Sequence, residues 1–269
     1  MNKRFLEIRL VLLASLLLGS MASCQLNNNN VKIDPKGRTF EGKMELWELY
    51  TAEEVLGSTA EGPLVLLNNK LKADPKYRDT TMLESDTVLS DSLNNEYNPL
   101  LRLIGIGGAF NIDDPFSGVV NIKDTLLLME MLHGEAAKQV LPKSMYFAWS
   151  DEATEGEDGI KYFILYALKS KSEERKSELN TQHIKAAFPM SNPDGAGFGI
   201  SVEFNKKGTE TWRQMTAANI NRCLAICLDG RVMSAPKVME EISGGKTVIS
   251  GNFNAEEAAA LAKVLHPGK

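Results

Sequence analysis

The sequence predicts an α+β fold, a mostly antiparallel sheet with helices on one face. Three stretches predict it: the alternating run 198–204, the apolar run 223–228 followed by Asp229-Gly230, and the capped periodic stretch 254–265. Phe198, Ile200, Val202 and Phe204 alternate with small or polar residues, which is a strand with one buried face. Gly208 reads as a break. Trp212, Met215 and Asn219 then recur at i, i+3 and i+7, predicting a helix that turns Trp212 and Met215 inward. Residues 223–228 are apolar throughout, as in a central strand covered on both faces. Asp229-Gly230 separates that run from Arg231-Val232-Met233, and a type I′ hairpin turn needs the positive φ that Asp-Gly supplies. Pro236 ends the returning strand because proline donates nothing to a ladder. Residues 238–242 are expected as a short helix stopped by Gly244 and Gly245, and 247–250 as another strand. Asn254 and Glu257 have the spacing of a capping box, with Phe253 as the staple residue, so a helix runs over about 255–265 and stops at Pro267-Gly268.

Four of these runs carry a family likeness: V-x-F-N-K-x-G-T-x-x-W (202–212), T-x-x-N-x-x-R (216–222), L-A-I-C-L-D-G-x-V-x-S-A-P (224–236) and I-S-G-N-F-x-A-E-E-A-x-x-L-A-x-x-L (249–265). Together they resemble the head region of the first large periplasmic domain of SecD and SecDF, accessory membrane subunits of the Sec protein-export machinery. The E-L-W-E-L-Y run at 45–50 is similar to the E-F-W-E-T-Y segment of SecDF proteins of the Bacteroidetes type, as are K-D-T (123–125), M-Y-F-A-W (145–149) and Y-A-L-K (166–169). The resemblance implies a ferredoxin-like base, expected over 38–158, and an α+β head, expected over 159–269. It also implies non-covalent work, with translocating polypeptides or Sec and envelope proteins as partners. Two rivals stand beside that reading: a structural or assembly protein of the envelope, and an enzyme with an unfamiliar site.

The chain opens with basic Lys3, Arg4 and Arg9, an apolar run over 10–18 and Met21-Ala22-Ser23 before Cys24. That is the pattern of a secretory signal over 1–23, and Cys24 directly after it resembles the lipobox of bacterial lipoproteins. A lipidated Cys24 anchoring the protein to a membrane is therefore expected, with an uncleaved anchor or an ordinary signal peptide as alternatives. Asparagine-rich 24–37 is expected as a disordered tether, with the soluble part facing the periplasm. No later stretch reaches the roughly 18 apolar residues of a membrane span. The transmembrane helices of SecD and SecDF thus have no expected counterpart here.

Between these ends, 44–50 suggests a strand in which Met44 and Leu46 fall out of phase with Trp47 and Leu49, followed by a Thr51-capped turn with Glu53 and Glu54. Residues 71–98, rich in Asp, Ser, Thr and Asn, are expected as a mobile insertion. The glycines at 105, 107 and 108 lack the GK[ST] of a phosphate loop and suggest a bend. Strands are expected at 119–122, 145–149 and 160–168, and a helix capped by Asp124 or Thr125 carries Leu127, Leu128, Met131 and Leu132. The charge run 169–176 reads as solvated surface.

The net charge of −5 and the 7% aromatic content speak against nucleic acid. Cys223 and Cys227 would lie about 13 Å apart on one face of a strand, beyond disulfide reach; on a helix they would be neighbours able to join a metal site. Only His133, His183 and His266 are present, none in a metal-binding spacing. His133 precedes Gly134 and suits a helix C-terminus. Ser234 lacks the glycines of a nucleophile elbow, and the adjacent Glu240-Glu241 and Glu256-Glu257 point apart. No catalytic residue, metal, cofactor or small-molecule substrate is predicted. The candidate binding residues are those of the hairpin, Asp229, Gly230 and Arg231, together with Trp47.

Overall fold

The computed structural model describes residues 32–33, 39–57, 61–77, 98–105, 115, 117–172, 175–192 and 197–265. The expected signal over 1–23, Cys24, most of the tether, most of the insertion over 71–98 and His266 lie outside the described residues. Among those described, no helix is long and apolar enough to cross a membrane.

The chain divides into two units, residues 1–41 and 42–269. In the first, β1 (Lys32–Ile33) pairs antiparallel with β2 (Thr39–Phe40). The second unit begins with β3 (Met44–Leu49), α1 (Ala52–Leu56), α2 (Pro63–Lys72), β4 (Gly118–Asn121), α3 (Thr125–His133) and α4 (Glu135–Val140). Strands β5 (Met145–Trp149), β6 (Thr154–Glu155), β7 (Lys161–Lys169), β8 (Leu179–Asn180), β9 (Ile184–Ser191) and β10 (Phe198–Phe204) follow. Helix α5 (Lys206–Ala218), β11 (Leu224–Leu228), β12 (Arg231–Ser234), β13 (Lys246–Phe253) and α6 (Ala255–Leu265) complete it.

The larger sheet runs β12-β11-β3-β7-β4, with β5 and β6 also on β7 and β8 on β3. Strands β12, β11, β3, β7 and β5 are each antiparallel to the next. Four antiparallel steps leave β5 and β12 pointing the same way, and Ser150 at the end of β5 makes a parallel bridge to Val232. The Asp151 N–H donates to the Val232 carbonyl at 2.9 Å. The five strands thereby close into a small barrel, fastened at one point.

The barrel interior holds Trp47, Leu49, Tyr146, Ala148, Tyr166, Leu168, Ala225, Cys227 and Val232, every one of them on a strand. Alternation along β3, β5, β7 and β11 sends these side chains to one face. The small residues at 148, 225 and 227 leave room for the rings of Trp47 and Tyr146, whose centroids lie 6.2 Å apart. The opposite face of β4, β5 and β7 packs Val120, Met145, Leu165 and Ala167 against Val55, Leu64, Leu67, Leu128 and Met131 of the helices. Burial on both faces explains the out-of-phase apolar residues of β3: Met44 and Leu46 serve one side, Trp47 and Leu49 the other. Each fully buried leucine here contributes about 2 kcal/mol.

The smaller sheet, ordered β13-β10-β9, carries α6 along β9 and β10. Ile200, Val202 and Ile249 are fully buried, as are Ala258 and Leu261 of the helix to within 1%. The fold is thus mixed, with antiparallel sheets and peripheral helices, as the residue patterns imply. Strands β7, β8, β11 and β12, which follow the expected boundary at 158, share the larger sheet with β3, β4, β5 and β6, which precede it.

Two local readings are corrected. Gly208 does not break the chain: α5 starts at Lys206 with Asn205 as its cap, accepting from the Gly208 N–H at 2.9 Å. Glycine is needed there because a Cβ would lie 2.7 Å from His183 Cβ and 2.9 Å from its carbonyl oxygen. Residues 238–242 form no helix. Their backbone is satisfied from elsewhere: the Asn221 N–H donates to the Val238 carbonyl, the Val238 N–H to that of Arg222, and the Ile242 N–H to Thr216 Oγ1. In the charge run at 169–176, Lys171, Arg175 and Lys176 are exposed as read, with Lys171 paired to Glu48 and Glu178 and Arg175 stacked on Tyr146.

Candidate functional site

The hairpin is built as the dipeptide requires, with Asp229 at φ 50 and Gly230 at φ 79. Leu228 faces Arg231 across it. Its tip is bound back to the start of β3, because Asp229 Oδ1 accepts from the Lys43 N–H at 2.8 Å and the Asp229 N–H donates to the Lys43 carbonyl at 2.8 Å. Arg231 is exposed and places its guanidinium 5.3 Å from the Phe163 ring centroid. Trp47 is 6% exposed and lies inside the barrel. It faces Ala225, four residues before Asp229, so the two are separated by about 13 Å along the strand. The structure therefore brings the three hairpin residues together at an accessible turn and uses Trp47 as core.

The T-x-x-N-x-x-R run proves to be a set of structural ties, with Thr216 and Asn219 buried and Arg222 partly so. Thr216 Oγ1 donates within its helix to the Trp212 carbonyl and accepts from Ile242. Asn219 Nδ2 donates to the Met215 carbonyl at 2.9 Å. Arg222 reaches across to the other end of the chain, donating to the Leu49 carbonyl at 3.0 Å and to Glu54 Oε2 at 2.7 Å. Burial pushes the Glu54 carboxyl up, but the Thr51 N–H, the Arg222 guanidinium and Lys169 outweigh it and hold the group below the usual carboxylate range. Sequence reasoning found the Thr51 cap and missed its link to Arg222, a contact across 168 residues with no local signature.

Other sequence features fall in place without forming a reaction centre. His133 bonds the Met129 carbonyl at 2.8 Å in the last turn of α3. Of the two candidate caps of α3, Asp124 occupies the position without a side-chain bond, while Thr125 Oγ1 donates to the Ile122 carbonyl. Asn254 and Glu257 make the reciprocal capping bonds, at 2.8 and 2.9 Å. Cys223, just before β11, and Cys227, within it, are not joined in a disulfide. Burial, and secondarily Glu45, push the Cys227 thiol up, which keeps it protonated and inert. Among the described residues, no three His, Cys, Asp or Glu side chains converge as a metal site.

Residues 166–269 match the family described as SecDF, P1 head subdomain. The protein translocase subunit SecD of Magnetococcus marinus is 40% identical over 94 residues, 35% of this chain and 18% of its own length. SecD of Calditerrivibrio nitroreducens is 45% identical over 69 residues, 26% of this chain and 13% of its own. The translocase subunit SecDF of Thermus thermophilus is 42% identical over 69 residues, 26% of this chain and 9% of its own. This chain thus spans less than a fifth of each of these relatives. A solved structure of a membrane component SecDF that enhances protein export aligns at 20% identity over 84% of this chain and 94% of its own, with a TM-score of 0.33, too loose to place individual residues. The C-terminal part of this chain is homologous to the SecD/SecDF periplasmic domain.

Proposed function

We propose that this protein is an envelope component that works beside the protein-export machinery, binding extended polypeptide or a protein partner without covalent chemistry. The supporting observation is the head-type sequence over residues 166–269, within which this chain forms the Asp229-Gly230 hairpin and the Asn254-capped helix. Among the described residues, β9 is an edge of the smaller sheet and exposes Phe188 at 51%. An extended chain could add to that edge as a further strand, with Phe188 beside it; Pro189 interrupts the edge at one position. Division into a base and a head, and kinship with the Bacteroidetes-type proteins, belong to the same proposal. So does the anchor: acylated Cys24 would hold the soluble part at the periplasmic side of a membrane. Palmitate-analogue labelling of the native protein, lost in Cys24→Ser, would test the anchor.

The second reading is an assembly role. Its support is that Trp47 is spent in the core and Asp229 in bonding Lys43, so two of the four sequence candidates serve the fold. In vivo photo-crosslinking from positions 188 and 231 separates the two readings. Adducts with many exported proteins are expected if substrate is handled. Adducts with one or two envelope proteins only would replace substrate handling by assembly, and none at all would remove both surfaces from consideration.

A further inference from the structure

A groove of about 510 Å3 opens where α3 ends, α4 runs past and β5 begins. Its floor includes Leu132, Ala137 and Met145, which are 4%, 2% and 5% exposed. Its rim carries His133, Lys138, Lys143 and Arg175, all exposed, and no carboxylate is among its described lining residues. On a chain of net charge −5, basic side chains gathered around an apolar floor run against the overall balance.

Helix ends account for only part of this. His133 and Lys138 lie near the C-termini of α3 and α4, where the helix dipole favours cations. Lys143 and Arg175 belong to no helix. Arg175 holds a left-handed backbone, φ 51, which a non-glycine residue adopts at a cost. Its guanidinium stands 4.4 Å from the Tyr146 ring centroid, a cation–π contact that fixes the charge over the groove. Lys138 pairs with Glu135, but those side chains are 64% and 81% exposed, so solvent already competes with the pair and a new carboxylate can displace it.

We propose that this groove docks a peptide segment of a partner protein in which one or two apolar side chains are flanked by Asp or Glu. The apolar side chains cover the floor left by Leu132, Ala137 and Met145, and the carboxylates meet Lys138, Lys143 and Arg175. A neutral apolar segment leaves the rim charges stripped of water without compensation, and a basic one is repelled. A flat bilayer surface meets the rim but cannot reach a concave floor. This site does not depend on the export reading, since it uses neither the hairpin nor β9.

Fluorescence anisotropy on the full-length protein tests the proposal, with a labelled peptide alternating Asp or Glu with Leu and a control alternating Lys with Leu. The acidic peptide alone is expected to bind saturably, more weakly as salt rises, and Lys138→Glu is expected to weaken it about tenfold without changing the melting temperature. Arg175→Gln serves as an independent second variant. Equal binding of the basic peptide, or indifference to both substitutions, overturns the proposal. Phosphatidylglycerol vesicles that displace the peptide and lose their own binding in Lys138→Glu would assign the groove to lipid and overturn it equally.

Discussion

Arg222 donates to Glu54 at 2.7 Å and, through the same nitrogen, to the Leu49 carbonyl, so one guanidinium holds the α5–β11 connection against the end of β3 and the cap of α1. Both side chains of the ion pair are about one-third exposed, at 35% and 33%, so water screens part of the attraction. Arg222→Ala should therefore cost about 1–2 kcal/mol, measured by urea unfolding. Because the Glu54 pKa is depressed in the fold, its contribution is complete above the ordinary carboxylate value and is lost as pH falls through the lower folded value. Glu54→Gln should flatten the stability curve on that acid limb and leave its neutral plateau lower.

Gly208 faces His183 with no room for a methyl group. Gly208→Ala would gain helix propensity, a few tenths of a kcal/mol up to about 1, but it places a Cβ against His183 Cβ and carbonyl oxygen. Overpacking of this kind costs about 1–3 kcal/mol and wins. A lower denaturation midpoint with an unchanged slope is the expected result; a stabilised variant would show that the His183 corner can move aside.

His183 accepts the Asn180 N–H at Nδ1, at 3.2 Å, a bond that needs the neutral ring. Burial and then the nearby Lys207 hold its pKa below the usual histidine value. A proton is therefore bound more readily in the unfolded chain, and the contribution of this group is complete above the ordinary histidine range and declines as pH falls through that range towards the folded value. Melting temperature should drop between about pH 7 and pH 5, and His183→Asn, which keeps an acceptor without a proton site, should remove that slope.

Cys227 points into the barrel and Cys223 is half-buried at its margin. Peptide mapping after brief alkylation at neutral pH should find Cys223 modified and Cys227 untouched until denaturant opens the strands. Prompt modification of Cys227 in the native protein would mean that the ring of strands opens readily.

What the residue pattern revealed was local. The Asp229-Gly230 turn, the Thr51 and Asn254 caps and the alternation over 198–204 each depend on neighbours within a few positions, and each stands as read. Residues 238–242 misled because their apolar spacing suits a helix while their bonding partners, Thr216, Asn221 and Arg222, come from α5 and the turn after it. Trp47 misled for the same reason: an aromatic on a strand looks like a contact residue until β5, β7 and β11 are folded around it. The basic groove was invisible because Arg175 lies more than thirty residues from its α4 neighbours.

The closure of the barrel also sets an order of events in time. β3 finds its long neighbour only in β11, and Lys43 meets Asp229 across 186 residues. A chain emerging N-terminus first therefore carries the β11-facing edge of β3 unmatched until residues 224–228 have arrived, although β7 and β8 can pair with its other edge earlier. Pairings of such separation form slowly, and the waiting strand is a hazard for self-association. Refolding from denaturant should be slow and concentration-sensitive, and during biogenesis β3 would depend on a chaperone until β11 is delivered.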